Sequence, residues 1–73
     1  MAINYSRLFD LLNTKGLSAN ALYLKGVITE YTAQQLRKNN PINLKHIDSI
    51  CQFLRVPIEQ VVEITLDDSS EED

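Results

Sequence analysis

The sequence predicts an all-α domain, a bundle of five short helices followed by an acidic tail. Three observations carry that expectation. Apolar residues recur at three- and four-residue spacing along the chain, which puts them on one face of successive helices. Most of these stretches open on a residue that caps helices and close on one that stops them. No stretch of useful length alternates with the two-residue period of a strand. At 73 residues, 44% hydrophobic and 23% charged, the composition is that of one ordinary globular domain. A chain this size buries only about 60% of its unfolded surface, which leaves no room for a deep internal cavity.

The elements follow in order. The first segment spans residues 5–15, where Tyr5, Leu8, Phe9 and Leu12 share a face. Asn4 can cap its start, and Gly16 suits the left-handed residue that closes a helix. The second spans 18–25, with Ser18 as cap, Ala21 and Leu22 inward and Gly26 as stop. Thr29 caps the third, which runs to 38. There Ala33 and Leu36 face inward, while Glu30, Tyr31, Gln34, Gln35 and Arg37 face out. Asn39-Asn40-Pro41 is a turn signal. Asn43 caps a fourth segment whose apolar stripe is Leu44, Ile47, Ile50, Cys51 and Leu54. Val56-Pro57 opens a fifth short helix with Ile58, Val61 and Val62 inward, since proline lacks only a hydrogen bond that the first turn would not make. The second and third segments are joined by Gly26-Val27-Ile28, and a tight glycine turn between two short helices fits a helix-turn-helix unit.

Charge divides the chain in two. Residues 1–66 carry seven basic and five acidic side chains, a net of +2, and form the expected helix-turn-helix domain. Residues 67–73 read Asp-Asp-Ser-Ser-Glu-Glu-Asp and carry −5. A run of like charge without apolar residues cannot offset its ordering entropy, so this segment is expected to be a disordered tail. It is expected to serve either as a solubilising tail or as an electrostatic mimic or autoinhibitor of a nucleic-acid site. Cys51 is the single cysteine, which excludes an internal disulfide and points to a reducing compartment. No apolar run has the length of a transmembrane helix or a signal peptide, so the expected location is cytoplasmic, with no membrane partner.

In these segments the chain resembles the Cro and phage-repressor-type helix-turn-helix family, also called lambda-repressor-like, and its small stand-alone members in particular. The resemblance covers residues 5–64. It is carried by Tyr5-Ser-Arg-Leu-Phe-Asp-Leu-Leu12, Leu17-Ser-Ala-Asn-Ala-Leu22, Ile28-Thr29, Leu36-Arg37 and the stretch from Leu44 to Leu54 ending Ile-Cys-Gln-Phe-Leu. The resemblance implies that the second helix crosses the DNA backbone and the third enters the major groove. Base-reading positions are then Glu30, Tyr31 and Thr32, with Gln35 one turn later. Gln35 suits a bidentate contact to adenine and Glu30 an acceptor contact to cytosine N4. Phosphate contacts would come from the head of the second helix near Ser18, and from Arg37, Lys38, Asn40, Asn43 and Lys45. Thr29 and Gln34 complete the DNA- or partner-binding set. Two departures stand out. Glycine falls at Gly26, one residue before its usual place, so the turn at Val27 is expected to be rebuilt or strained. The ring of Tyr23 replaces a small residue, and is expected either to spread the two helices or to point outward.

The remaining tempting residues have plain readings. Cys51 sits on an apolar stripe and reads as a small buried hydrophobe. His46 has no cysteine or carboxylate partners at ligand spacing, which speaks against zinc. Asp10 and Asp48 read as surface charges. No nucleophile–base constellation or phosphate-binding glycine loop is present, so the reading is non-enzymatic and needs no cofactor. The function expected is a small transcriptional regulator of the Cro/repressor type, binding operator DNA as a homodimer through Phe53, Val56, Ile58 and Val61. The alternative is an antirepressor of a phage-like genetic switch that grips a partner repressor protein.

Overall fold

The computed structural model describes residues 2–66. In chain order these form β1 (Ala2–Asn4), α1 (Ser6–Thr14), α2 (Ala19–Leu24), α3 (Glu30–Arg37), α4 (Leu44–Leu54), a 3₁₀ turn (Ile58–Gln60) and β2 (Glu63–Thr65). The charged tail at 67–73 lies outside the described residues.

Two expectations about the elements are corrected. The fifth helix is a single 3₁₀ turn, closed by the Gln60 amide donating to the Pro57 carbonyl at 3.0 Å. Pro57 starts it well enough, but after three residues the chain extends into β2, and short 3₁₀ pieces of this kind are ordinary connectors. The bundle therefore has four α-helices among the described residues, with a small sheet added. In that sheet β1 and β2 run antiparallel, with Ala2 opposite Thr65, Ile3 opposite Ile64 and Asn4 opposite Glu63. Three residues are too few to show a two-residue period, so neither strand is visible as a pattern.

The caps are those the sequence suggests. The Ser18, Thr29 and Asn43 side chains accept from the amides of Ala21, Thr32 and Lys45. Asn4 acts one residue further out than a cap, its Oδ1 accepting from the Ser6 amide at 3.1 Å. All four helices then close with one device. A residue of positive φ follows the helix, and the next amide reaches back to a carbonyl five residues earlier. The left-handed residues are Gly16 (φ 71°), Gly26 (φ 78°), Asn39 (φ 57°) and Arg55 (φ 60°). The closing bonds are Leu17 to Leu12, Val27 to Leu22, Asn40 to Gln35 and Val56 to Cys51, at 2.8 to 3.1 Å. Gly26 thus supplies the left-handed residue of the turn between α2 and α3. Val27 keeps an ordinary φ, so the turn is rebuilt one residue earlier without strain there. Tyr23 is exposed, and α2 packs against α3.

One core joins these elements. Tyr5, Leu8 and Leu12 of the first segment meet Leu22, Leu36, Ile50 and Val61, all essentially without solvent contact. Burying each such aliphatic side chain contributes about 1.5–3 kcal/mol. Leu44 is a correction to the expected stripe: it is 69% exposed, lying in the first turn at the edge of the arc that Ile47, Ile50 and Leu54 bury.

Candidate nucleic-acid interface

The head of α3 is set by Thr29. Its Oγ1 accepts from the Thr32 amide at 3.1 Å and donates to Thr32 Oγ1 at 3.0 Å. Both hydroxyls are therefore engaged with each other. Thr32 is only 5% exposed and is corrected from a base-reading position to an interior one. At 3.6 residues per turn, Thr32, Ala33 and Leu36 fall on a common arc, and that arc is the buried one. The opposite arc carries Glu30, Tyr31 and Gln34, all exposed, with Tyr31 at 69%. Gln35 lies at its edge and is half-buried. Glu30 in the first turn and Arg37 in the last also complement the helix dipole, a structural role independent of any ligand.

Beyond α3 the chain is held by Tyr5. Its amide donates to Asn39 Oδ1 at 3.2 Å, and its hydroxyl donates to the Asn40 carbonyl at 2.5 Å. The Asn40 amide donates to the Gln35 carbonyl at 3.0 Å, and Asn40 Nδ2 donates to Gln35 Oε1 at 2.9 Å. A buried phenol thus fixes the segment leaving α3, and that segment touches the amide of Gln35. The spacing of Tyr5 signalled the core, but nothing local in the sequence signals a partner 35 residues away. Burial raises the Tyr5 phenol above its ordinary value of 10.0.

The other predicted contact residues fall into two groups. Lys38, Asn40, Asn43 and Lys45 follow α3 along the connection to α4 and its first turn, all exposed. Asn43 Oδ1 is committed to the cap, accepting from Lys45 at 2.8 Å, which leaves its amide nitrogen as the free donor group. Ser18 and Arg37 both line an open groove of about 520 Å³, with Asp10 and Asn13 on the α1 side. Arg7 serves the fold instead, donating to the Glu59 carbonyl at 3.4 Å and lying 4.0 Å from Glu63.

Of the predicted dimer residues, Phe53 and Ile58 are exposed and Val56 is half-buried. Val61, expected both inward and at the dimer contact, is a core residue at 0% exposure, so its inward reading holds and its dimer reading is corrected. Ile58, also expected inward, is corrected to 46% exposed, because a single 3₁₀ turn replaces the helix whose face it was to share. Beside Ile58, an apolar groove of about 290 Å³ is lined by Leu44, Ile47, Asp48 and Cys51. Cys51 is half-buried rather than buried, and its thiol is raised by desolvation, then by the charges of Asp48 and Glu59. A raised thiol is a poor nucleophile. Among the described residues no three histidine, cysteine or acidic side chains gather at metal-binding distance, and no helix is long and apolar enough to cross a membrane.

The family model for the Cro/C1-type HTH DNA-binding domain matches residues 7–67. The fold is similar to that of a solved transcriptional regulator, VanUg, with a TM-score of 0.81 at 21% identity, over 90% of this chain and 88% of that one. No curated protein matches the chain.

Proposed function

Because the chain belongs to the Cro/C1-type helix-turn-helix DNA-binding domain family, we propose that it is a small transcriptional regulator of the repressor type that reads operator DNA with the outer face of α3. The carrying observation is that face itself: Glu30, Tyr31 and Gln34 exposed, Gln35 at the edge, and the opposite arc packed in the core. A B-form major groove admits one helix and displays base edges with a distinct donor and acceptor pattern. Arg37, Lys38, Asn40, Asn43 and Lys45, with Ser18 at the head of α2, supply phosphate contacts, which fix register without reading sequence. Residues 1–66 act as the DNA-binding domain and 67–73 as a charged appendage. One short helix reads few base pairs, so the protein acts as a homodimer on a two-fold site. Phe53, Val56 and Ile58 form its contact, supported by the exposure of Phe53 and Ile58 and the apolar groove beside Ile58.

The test is a gel-shift titration against DNA flanking its own gene, at low and physiological salt, with competitor DNA present. A shift that survives competitor is the expected result, and no shift even at low salt sinks the reading. If Gln35→Ala leaves affinity and base preference unchanged, α3 is not the reader. Light scattering that finds only monomer, free and on DNA, removes the homodimer.

A second reading is favoured by Glu30, whose carboxylate stands exposed at the head of α3, and by the net charge of −3. Both suit a modulator that grips the basic DNA-reading face of a partner repressor. Mixing with a repressor encoded beside its own gene at micromolar concentration then gives a heteromer in light scattering; its absence ends that reading.

A further inference from the structure

We propose that Asn40 is a positioning residue for base reading: it holds the Gln35 amide so that Gln35 offers donors to the groove and selects guanine over adenine. The inference deepens the α3 reading above and rests on it.

The starting point is the contact from Asn40 Nδ2 to Gln35 Oε1 at 2.9 Å. Between two free side chains on a surface such a bond is short-lived, because both lose rotamer entropy to form it. Here the Asn40 end is fixed in advance. Its amide donates to the Gln35 carbonyl at 3.0 Å, and its carbonyl accepts from the Tyr5 hydroxyl at 2.5 Å. The residue before it, Asn39, is left-handed at φ 57°, and its own side chain accepts from the Tyr5 amide at 3.2 Å. Tyr5 is buried to 1% exposure, so the platform that carries Asn40 is part of the core. The Gln35 end is half-buried and has less freedom than the exposed side chains around it.

The chemistry follows from which atom is engaged. A free glutamine matches adenine because it sets one acceptor beside one donor, against adenine N6 and N7. With Oε1 turned back to Asn40, the group left pointing away is Nε2, which carries two N–H donors and no acceptor. The base edge with two acceptors side by side is guanine, at O6 and N7. Asn40 thus becomes more than a phosphate contact: through Gln35 it sets which base is read.

The test is selection from a pool of randomised duplexes by the full-length protein and three variants. Gln35→Ala marks the base pair concerned by losing preference at that position alone. The wild-type protein is expected to enrich guanine there. Asn40→Asp can only accept, so the Gln35 amide turns over, Oε1 points out, and preference moves to the donor-bearing bases adenine or cytosine. Asn40→Ala frees the amide, and preference moves to adenine. The expected change is roughly tenfold in the ratio of bases at that pair. The added charge of Asn40→Asp weakens every duplex alike, so the ratio is the readout. Unchanged guanine preference in both Asn40 variants overturns the inference while leaving α3 as the reader. No enrichment by the wild-type protein overturns the α3 reading and the inference together. In the DNA-free protein, Asn40→Ala must also shift the side-chain amide resonance of Gln35; an unmoved resonance shows the bond is not made, and overturns the inference too.

Discussion

At the scale of single residues, Tyr5 carries more than its apolar spacing suggests. Its ring fills the core while its hydroxyl and amide hold Asn40 and Asn39. Tyr5→Phe keeps the ring and removes one hydrogen bond, so thermal or urea unfolding should show a loss of about 1 kcal/mol. An unchanged stability would mean that the contact adds nothing net. The phenol also predicts a pH dependence. Its folded value lies above the unfolded value of 10.0, so its contribution is fully present below pH 10 and is lost as pH rises through the folded value. Stability should fall above pH 10, and Tyr5→Phe should fall less steeply over the same range. Thr32 shows the limit of residue type as a guide. A threonine on a polar helix reads as outward, but pairing with Thr29 satisfies its hydroxyl and lets it lie in the core. Val61 was rightly read as inward and fails only as a dimer residue, since an apolar side chain carries no mark of whether it meets the core or a partner.

Helix ends and turns decide the elements. Gly16 and Gly26 were legible as stops because only glycine takes positive φ freely, and both do. Asn39 and Arg55 do the same task without that signal, Asn39 inside a recognisable Asn-Asn-Pro turn and Arg55 with no local sign at all. This device predicts two opposite results. A Cβ at Gly26 meets nothing within 4 Å, so Gly26→Ala should cost only the left-handed backbone, about 1 kcal/mol. Arg55→Gly relieves the same strain and should stabilise by up to about 1 kcal/mol, reduced by the greater freedom of glycine in the unfolded chain. Urea midpoints read both; a neutral Gly26→Ala would mean that the turn re-forms with another residue left-handed. The elements that were not legible are those with the least local information. β1 and β2 exist because residues 2–4 and 63–65 meet across the whole chain, and the short 3₁₀ turn leaves the same apolar spacing as a first helical turn.

For the molecule as a whole, charge placement governs affinity. The four helices and their caps could be read from spacing, and so could the polar arc of α3, because periodicity reports which side faces the core. Contacts between distant segments could not, and the Tyr5–Asn40–Gln35 chain is made of them. Net charge is legible in full, and it sets the strength of DNA binding rather than its geometry. Each phosphate neutralised by a basic side chain releases counterions and adds about 0.9 to the slope of log affinity against log salt. Arg37→Ala should therefore lower that slope by about 1 while leaving base preference intact; an unchanged slope removes Arg37 from the contact set. The five acidic residues of 67–73 outweigh the +2 of residues 1–66, so they should oppose the approach of a polyanion over several ångströms. Replacing all five by their amides leaves the length of the chain unchanged and removes only charge. DNA affinity should then rise at low salt, and the gain should shrink as the screening length falls to about 10 Å near 0.1 M. Equal affinities at low salt would mean that the charged segment does not act on the binding face. A gain that persisted unchanged at high salt would mean that it acts there by direct contact rather than through its field.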